Sequence, residues 1–287
     1  MTFGEWSLDP AQIGPVILVA LLYGLRARRL AAHGRPVPVA RRASFAAGIL
    51  VGLASLVTPI DWLGENRLLW VHMVQHLLLG DLAPLLIVLG LTGPVLRPLL
   101  AIRWLRPARA LAHPLPALLL WSVDLCLWHV PFMYQAALAH SGIHALEHAC
   151  FALAGGFMWA AVIEPLPGPV WFGNGWKALY TLAVRGVGTA VSNVFIWDKH
   201  VLYPVYVPLD RLAHVAPLTD QRIAGLVMFS EGGIVTALAF AWLFLRWWQE
   251  AEIRQRLVER DLDEATAARA ARYRRSARAR EVERLPR

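Results

Sequence analysis

The sequence predicts an all-α integral membrane protein: a bundle of seven transmembrane helices with its N-terminus outside and its C-terminus in the cytoplasm. Three observations carry this expectation. Of 287 residues, 57% are hydrophobic and 17% charged, and mean hydropathy is +0.47, against roughly half apolar and a quarter charged in soluble domains. Seven apolar stretches are each long enough to cross a hydrocarbon core of about 30 Å. Arginine, finally, is concentrated in alternate connections between those stretches.

Taken in order, the predicted spans are 12–32, 43–61, 68–91, 115–133, 142–164, 176–197 and 222–246. The segment before the first, residues 1–11, holds Glu5 and Asp9 and no basic residue. That is not the pattern of a cleavable signal peptide, so the first span is expected to remain in the mature protein. The connection to the second span carries Arg26, Arg28, Arg29, Arg35, Arg41 and Arg42, whereas residues 62–67 before the third hold Arg67 alone. After the third span come Arg97, Arg103, Arg106 and Arg109. Pro84, Pro131 and Pro165 lie inside or at the ends of spans, where a missing N–H kinks or stops a helix. The seventh span contains Gly232-Gly233, read as permitting close helix packing.

The tail, 249–287, is rich in Arg and is expected to continue the last helix, with Glu250/Arg254 and Glu252/Arg256 at favourable i, i+4 spacing. The Lys/Arg asymmetry sets the orientation by the positive-inside rule. Several of the 13 Trp fall near span ends, including Trp62, Trp70, Trp128, Trp176, Trp197, Trp247 and Trp248, as in an interfacial aromatic belt. A net charge of +8 would suit nucleic acid, but it resides in the cytoplasmic connections and tail, where topology and anionic headgroups account for it. The lipid bilayer, not nucleic acid, is the expected partner of these charges. The two cysteines, Cys126 and Cys150, both fall within spans and do not suggest a disulfide framework.

Chemistry concentrates at the outer face. Eight of ten histidines fall on that side, four of them in two i, i+4 pairs: His72/His76 in the third span and His144/His148 in the fifth. Residues four apart share a helix face, so each pair can aim both rings at one point. His129 closes the fourth span, while His140, His200 and His214 lie in outer loops. At about 1.5 Å per residue, His72, His76, His129, His144 and His148 lie ~3–12 Å below the outer surface, so three helices deliver imidazoles to one layer. Imidazole suits copper and zinc, and thiolate or thioether favours Cu(I). Cys126, Met73, Met133 and Met228 are therefore candidate sulfur ligands. Glu147 is a candidate ligand or a partner that orients one. Asp124 and Glu231, with Asp81, are deep acids, and Arg185 is the only strongly basic residue at depth. They read either as helix-register ion pairs or as an acidic path for a cation, with Asp124 and Glu231 as supporting groups for the site.

Two further chemistries compete. His144-Ala-Leu-Glu147-His148 matches the H-x-x-E-H pattern of inverted zinc proteases, with Glu147 as base. Histidines from two spans can also ligate a haem iron.

Three runs, HMVQHLLLGDLAPLLIVLG (72–90), LWHVPFMYQAALAHSGIHALEHACF (127–151) and PLTDQRIAGLVMF (217–229), resemble the seven-span CtaG family of cytochrome c oxidase assembly factors. The resemblance covers about 12–248 and preserves the order of the motifs. It implies a non-enzymatic bacterial inner-membrane protein that matures a haem-copper oxidase by receiving copper from periplasmic donors and delivering it to oxidase subunits. The residues carried over are His72, His76, Trp128, His129, Pro131, His144, Glu147, His148, Asp220 and Gln221. The chain departs from the pattern at Asp81, where an apolar residue is expected, at Glu231, where proline is expected, and in its longer basic tail. A metal-free scaffold that contacts the oxidase is the other role compatible with that family.

Overall fold

A computed structural model describes residues 6–103, 106–260 and 262–273. Among them there is no strand; every regular element is helical. Six helices are long and apolar enough to cross a membrane: Pro10–Ala32, Val39–Val57, Leu69–Gly90, Ser141–Ile163, Asn174–Trp197 and Pro217–Val258. They overlap six of the predicted spans. The predicted fourth span, 115–133, is instead a broken one. A helix over Pro114–Trp128 bends by 73° into a second over Pro131–Ala139, and only the pair together passes as a seventh crossing. Pro131 supplies the break, because it has no N–H to continue the ladder and disfavours helical backbone in the residue before it.

In chain order, α1 spans Pro10–Ala32, α2 Val39–Val57, α3 Pro59–Asn66 and α4 Leu69–Leu77. A π turn (Leu78–Leu82) then leads into α5, Ala83–Gly90. Helix α1 opens on Asp9, whose carboxylate accepts from the Ala11 N–H at 2.8 Å, with Pro10 in the first turn, a favoured start. Helix α2 stops at Val57, earlier than the predicted boundary of 61. Thr58 takes an extended ψ of 170° ahead of Pro59 and becomes the N-cap of α3 instead. A stretch expected to be part span and part loop is thus a separate short helix packed on α4.

The chain continues through α6 (Gly93–Ala101), α7 (Arg106–Leu111), α8 (Pro114–Trp128), α9 (Pro131–Ala139) and α10 (Ser141–Ile163). Helix α10 packs against α8, α9, α5 and the π turn. Its closest approach is at Gly155, where a Cβ would overlap the Gly80 carbonyl oxygen of the π turn. Absence of a side chain there is what lets α10 lie beside the third span. The last elements are α11 (Asn174–Trp197), α12 (Val207–Leu212), α13 (Pro217–Val258) and α14 (Glu264–Tyr273).

The described chain divides into two compact units, residues 1–168 with 183–233, and 169–182 with 234–287. In the first, a core of Tyr23, Leu30, Val37, Phe45, Ile49 and Val95 joins α1, α2 and α6. Tyr23 stacks on Phe45 at 3.6 Å, and Arg26 and Arg41 donate to the carbonyls of Pro94 and Leu89. A second core of Leu69, Met73, Tyr134, Phe195, Tyr203, Tyr206, Ala224 and Met228 underlies the histidine-bearing elements. In the smaller unit, Arg272 donates to the carbonyls of Pro169, Val170 and Phe172, and Leu257 packs with Ala267 and Ala270. Glu252 pairs with Arg256 as its spacing predicts, but Glu250 turns back to Arg246 and Asn174 rather than forward to Arg254.

Candidate metal centre

Helix α4 carries His72 and His76, and its start is held from elsewhere in the fold. Its N-cap residue, Leu68, offers no side-chain acceptor. The fully buried Asp220 of α13 supplies both, accepting from the N–H groups of Leu69 (2.7 Å) and Trp70 (3.1 Å). A carboxylate at that end also complements the helix dipole. Gln221 accepts from the Leu202 N–H and donates to the carbonyls of His200 and Phe195, tying the 198–203 segment to α13. Asp220 and Gln221 of the PLTDQR run thus act as braces and not as ligands. Gly64 completes the support, because a Cβ there would stand 2.9 Å from the His72 Cα and force α3 off α4.

His144 and His148 project from α10 toward the same point. All four rings are buried, and one nitrogen from each lies within 4.8 Å of every other. The Nε2 atoms of His72 and His76 are only 2.7 Å apart. Two ring nitrogens at that distance need a proton or a cation between them, since otherwise their lone pairs repel.

The far ring nitrogens show which way the lone pairs face. His148 Nδ1 lies 2.8 Å from the Gln12 amide oxygen, and His144 Nδ1 lies 2.7 Å from the Glu65 carboxylate. Both partners are acceptors, so each Nδ1 carries the proton and each Nε2 is left with a free lone pair. His72 Nδ1 lies 3.4 Å from the Tyr206 hydroxyl, whose own proton is committed to the Gly64 carbonyl at 2.7 Å. The Nε2 atoms of His144 and His148 have no hydrogen-bond partner.

Glu147 sits among these nitrogens. It is fully buried, its Oε2 lies 3.9 Å from Nε2 of both His76 and His144, and neither carboxylate oxygen has a hydrogen-bond partner. A buried carboxylate without donors is costly, as are buried imidazole lone pairs without donors. A metal cation among them satisfies all of these atoms together, so the donor set fits a transition-metal ion.

The remaining candidates fall into place around this group. His129 caps α8, with Nδ1 donating to the Leu125 carbonyl and its own carbonyl accepting from Tyr203. Its ring stands 6.2 Å from that of His76, and its Nε2 is unpartnered, but it lies outside the converging group of four. Asp124 accepts from Trp128 at 3.0 Å and lies within electrostatic reach of Glu147. Cys126 is exposed. Met73 and Met228 belong to the apolar core with Tyr134, Phe195 and Tyr203, and Met133 packs with Trp128, Ala137 and Phe151. Glu231 belongs to a separate polar set, hydrogen-bonded to Asp81 and within reach of Arg185, while Asp81 accepts from Trp159 at 2.6 Å. Gly232 makes room for the Arg185 guanidinium, which lies over Phe229.

Sequence reasoning did not single out Gln12, Asp61, Glu65, Gln75, Tyr134 or Tyr206. Gln75, between the paired histidines of α4, donates to Asp61 (2.6 Å) and to the Ser55 carbonyl. Burial pushes the Asp61 carboxyl up, and the nearby Glu65 charge adds to the effect. An acid four residues ahead of another, between two spans on the histidine side, was a usable signal. Nothing local marks Gln12 or Tyr206 as partners of histidines more than 130 residues away.

Compared with known proteins, residues 21–250 match the family model described as cytochrome c oxidase caa3 assembly factor (Caa3_CtaG). No curated protein and no solved structure matches the chain.

Proposed function

Because the chain belongs to the cytochrome c oxidase caa3 assembly factor family, we propose that it is a copper carrier for a haem-copper oxidase in the bacterial inner membrane. Copper arrives from periplasmic donors at the outer face, is held by His72, His76, His144 and His148, and leaves for an oxidase subunit. His129 stands beside the four as the next imidazole along a short exchange path. The copper is cargo, and the protein forms and breaks no covalent bond in a substrate. The observation that carries this reading is the convergence of four buried imidazoles on one point beside a buried carboxylate without donors.

The competing chemistries fit this geometry less well. A catalytic zinc keeps three protein ligands and an open position for water, whereas here four imidazoles converge with a carboxylate beside them. A haem needs a slot for its macrocycle between the axial rings, but these rings pack 4.1–5.7 Å apart, centroid to centroid.

The test is copper content and oxidase activity for the wild type beside a His76→Ala/His148→Ala double variant. The wild type is expected to purify with copper near one per chain, and the variant to lose both the copper and the ability to support oxidase activity in cells. Metal-free wild type, together with a variant that still matures the oxidase, would replace the carrier with a scaffold.

A further inference from the structure

The converging group is made of imidazole nitrogens, with the Glu147 carboxylate 3.9 Å from two of them. Cys126 is exposed, Cys150 is not among the converging residues, and Met73 and Met228 are packed in the apolar core. Soft sulfur is the ligand class that selects Cu(I), while imidazole with carboxylate in a tetragonal arrangement suits Cu(II).

Charge leads to the same conclusion. Two carboxylates touch the ligand rings. Glu147 lies 3.9 Å from His76 and His144, and Glu65 accepts from His144 Nδ1 at 2.7 Å. Four neutral imidazoles contribute no charge, so the two carboxylates balance a dication and leave a monocation with an excess negative charge. Glu147 is fully buried and Glu65 one-third exposed, so the second charge that completes the match to a dication sits at the solvent-facing edge of the site.

Size allows it. Nitrogens each about 2.0–2.1 Å from an ion stand at most about 4.2 Å apart, and these lie within 4.8 Å of one another. Side-chain adjustment of about half an ångström closes the shell.

Building on the carrier reading, we infer that the cage takes its ion in the divalent state, Cu(II) ahead of Zn(II), with Glu147 as the carboxylate ligand and Glu65 as the outer counter-charge that orients His144. Glu65 is the solvent-facing end of this chain of contacts, its side chain 33% exposed where that of His144 is 3% exposed. Its carboxylate is therefore the first group of the site that an incoming cation meets. The order Cu(II) over Zn(II) follows the general affinity series for nitrogen and oxygen sites.

The experiment uses the full chain in detergent. Wild type, Glu147→Gln and Glu65→Gln are loaded with copper(II) sulfate, zinc sulfate or, without oxygen, Cu(I), and each ion is titrated against chelators. Electron paramagnetic resonance is recorded on the copper(II) samples. The expected wild type binds one Cu(II), shows nitrogen hyperfine structure, and releases Zn(II) when Cu(II) is added. Each Gln variant is expected to weaken Cu(II) by about 10–100-fold, the usual effect of removing an orienting or ligating carboxylate, with Cu(I) affinity unchanged. Tighter binding of Cu(I) than of Cu(II) by the wild type overturns the inference and leaves the copper carrier standing. The same follows if both Gln variants hold Cu(II) as the wild type does. A wild type that binds none of the three ions overturns the inference and the carrier together.

Discussion

At the scale of single residues, the chain pairs buried acids with tasks that differ by what each touches. Glu147 has no donor and faces imidazole lone pairs, whereas Asp220 has two backbone donors and fixes the start of a helix. Asp210, buried beside Asp220, takes a third role. Burial, aided by its hydrogen bond to Asp220, pushes its carboxyl up to about 7. With both Asp220 oxygens already accepting, the shared proton belongs to Asp210. A folded-state value above the unfolded one of about 4 means that protonation favours the fold. This contribution is complete below about pH 4 and is lost as pH rises through about 7. Thermal melting between pH 5 and 8 is therefore expected to fall with rising pH in the wild type, and Asp210→Asn is expected to flatten that slope. An unchanged slope in the variant would assign the pH dependence to another group.

At the scale of elements, the histidine layer depends on where α4 begins. Helix α4 has no cap of its own, and Asp220 reaches it from 150 residues away in sequence. Asp220→Ala leaves the buried Leu69 N–H and the part-buried Trp70 N–H without acceptors. Loss of a cap costs about 1 kcal/mol, and unsatisfied buried donors add about 1–3 kcal/mol each. The variant is expected to melt several degrees lower and to bind less metal, because His72 lies within the first turn of α4. Asp220→Asn, which keeps one acceptor oxygen, is expected to fall between the two. Equal melting temperatures for wild type and Asp220→Ala would show that α4 starts correctly without this brace. The bent α8–α9 pair is the other element-scale device. By stopping α8 at Trp128, it brings His129 to a helix end, with its ring beside those of His76 and Phe151.

At the scale of the whole molecule, orientation decides which compartment meets the site. By the positive-inside rule the Arg-rich connections are expected on the cytoplasmic side, with Glu65 and the four converging histidines on the outer side. In a chain with Cys126 and Cys150 replaced by serine, His200→Cys is expected to react with a membrane-impermeant maleimide in intact cells. His33→Cys is expected to react only after lysis. The His200 side chain is 92% exposed, so failure to label it in intact cells would reverse the orientation and with it the route of the metal.

Much of this was determined by the sequence alone. Apolar runs long enough to span a bilayer, and histidines spaced to share a helix face, are local patterns that one residue's neighbours are enough to specify. Six crossings and both histidine pairs were legible for that reason. Helical rise converts residue number into an expected depth as well. Direction around the helix axis was not legible. Cys126 was expected at the depth of the histidines, but whether it turns toward the site or away depends on which helices flank α8, and it is exposed. Pro131 marked the break before it, whereas the size of the bend and the partners of the far ring nitrogens were decided by tertiary structure. Gln12, Glu65, Tyr206 and Asp220 come from four different elements, and contacts between elements far apart in sequence leave no periodic trace in any one of them. The sequence placed the imidazoles in one layer; packing turned their lone pairs toward a common point.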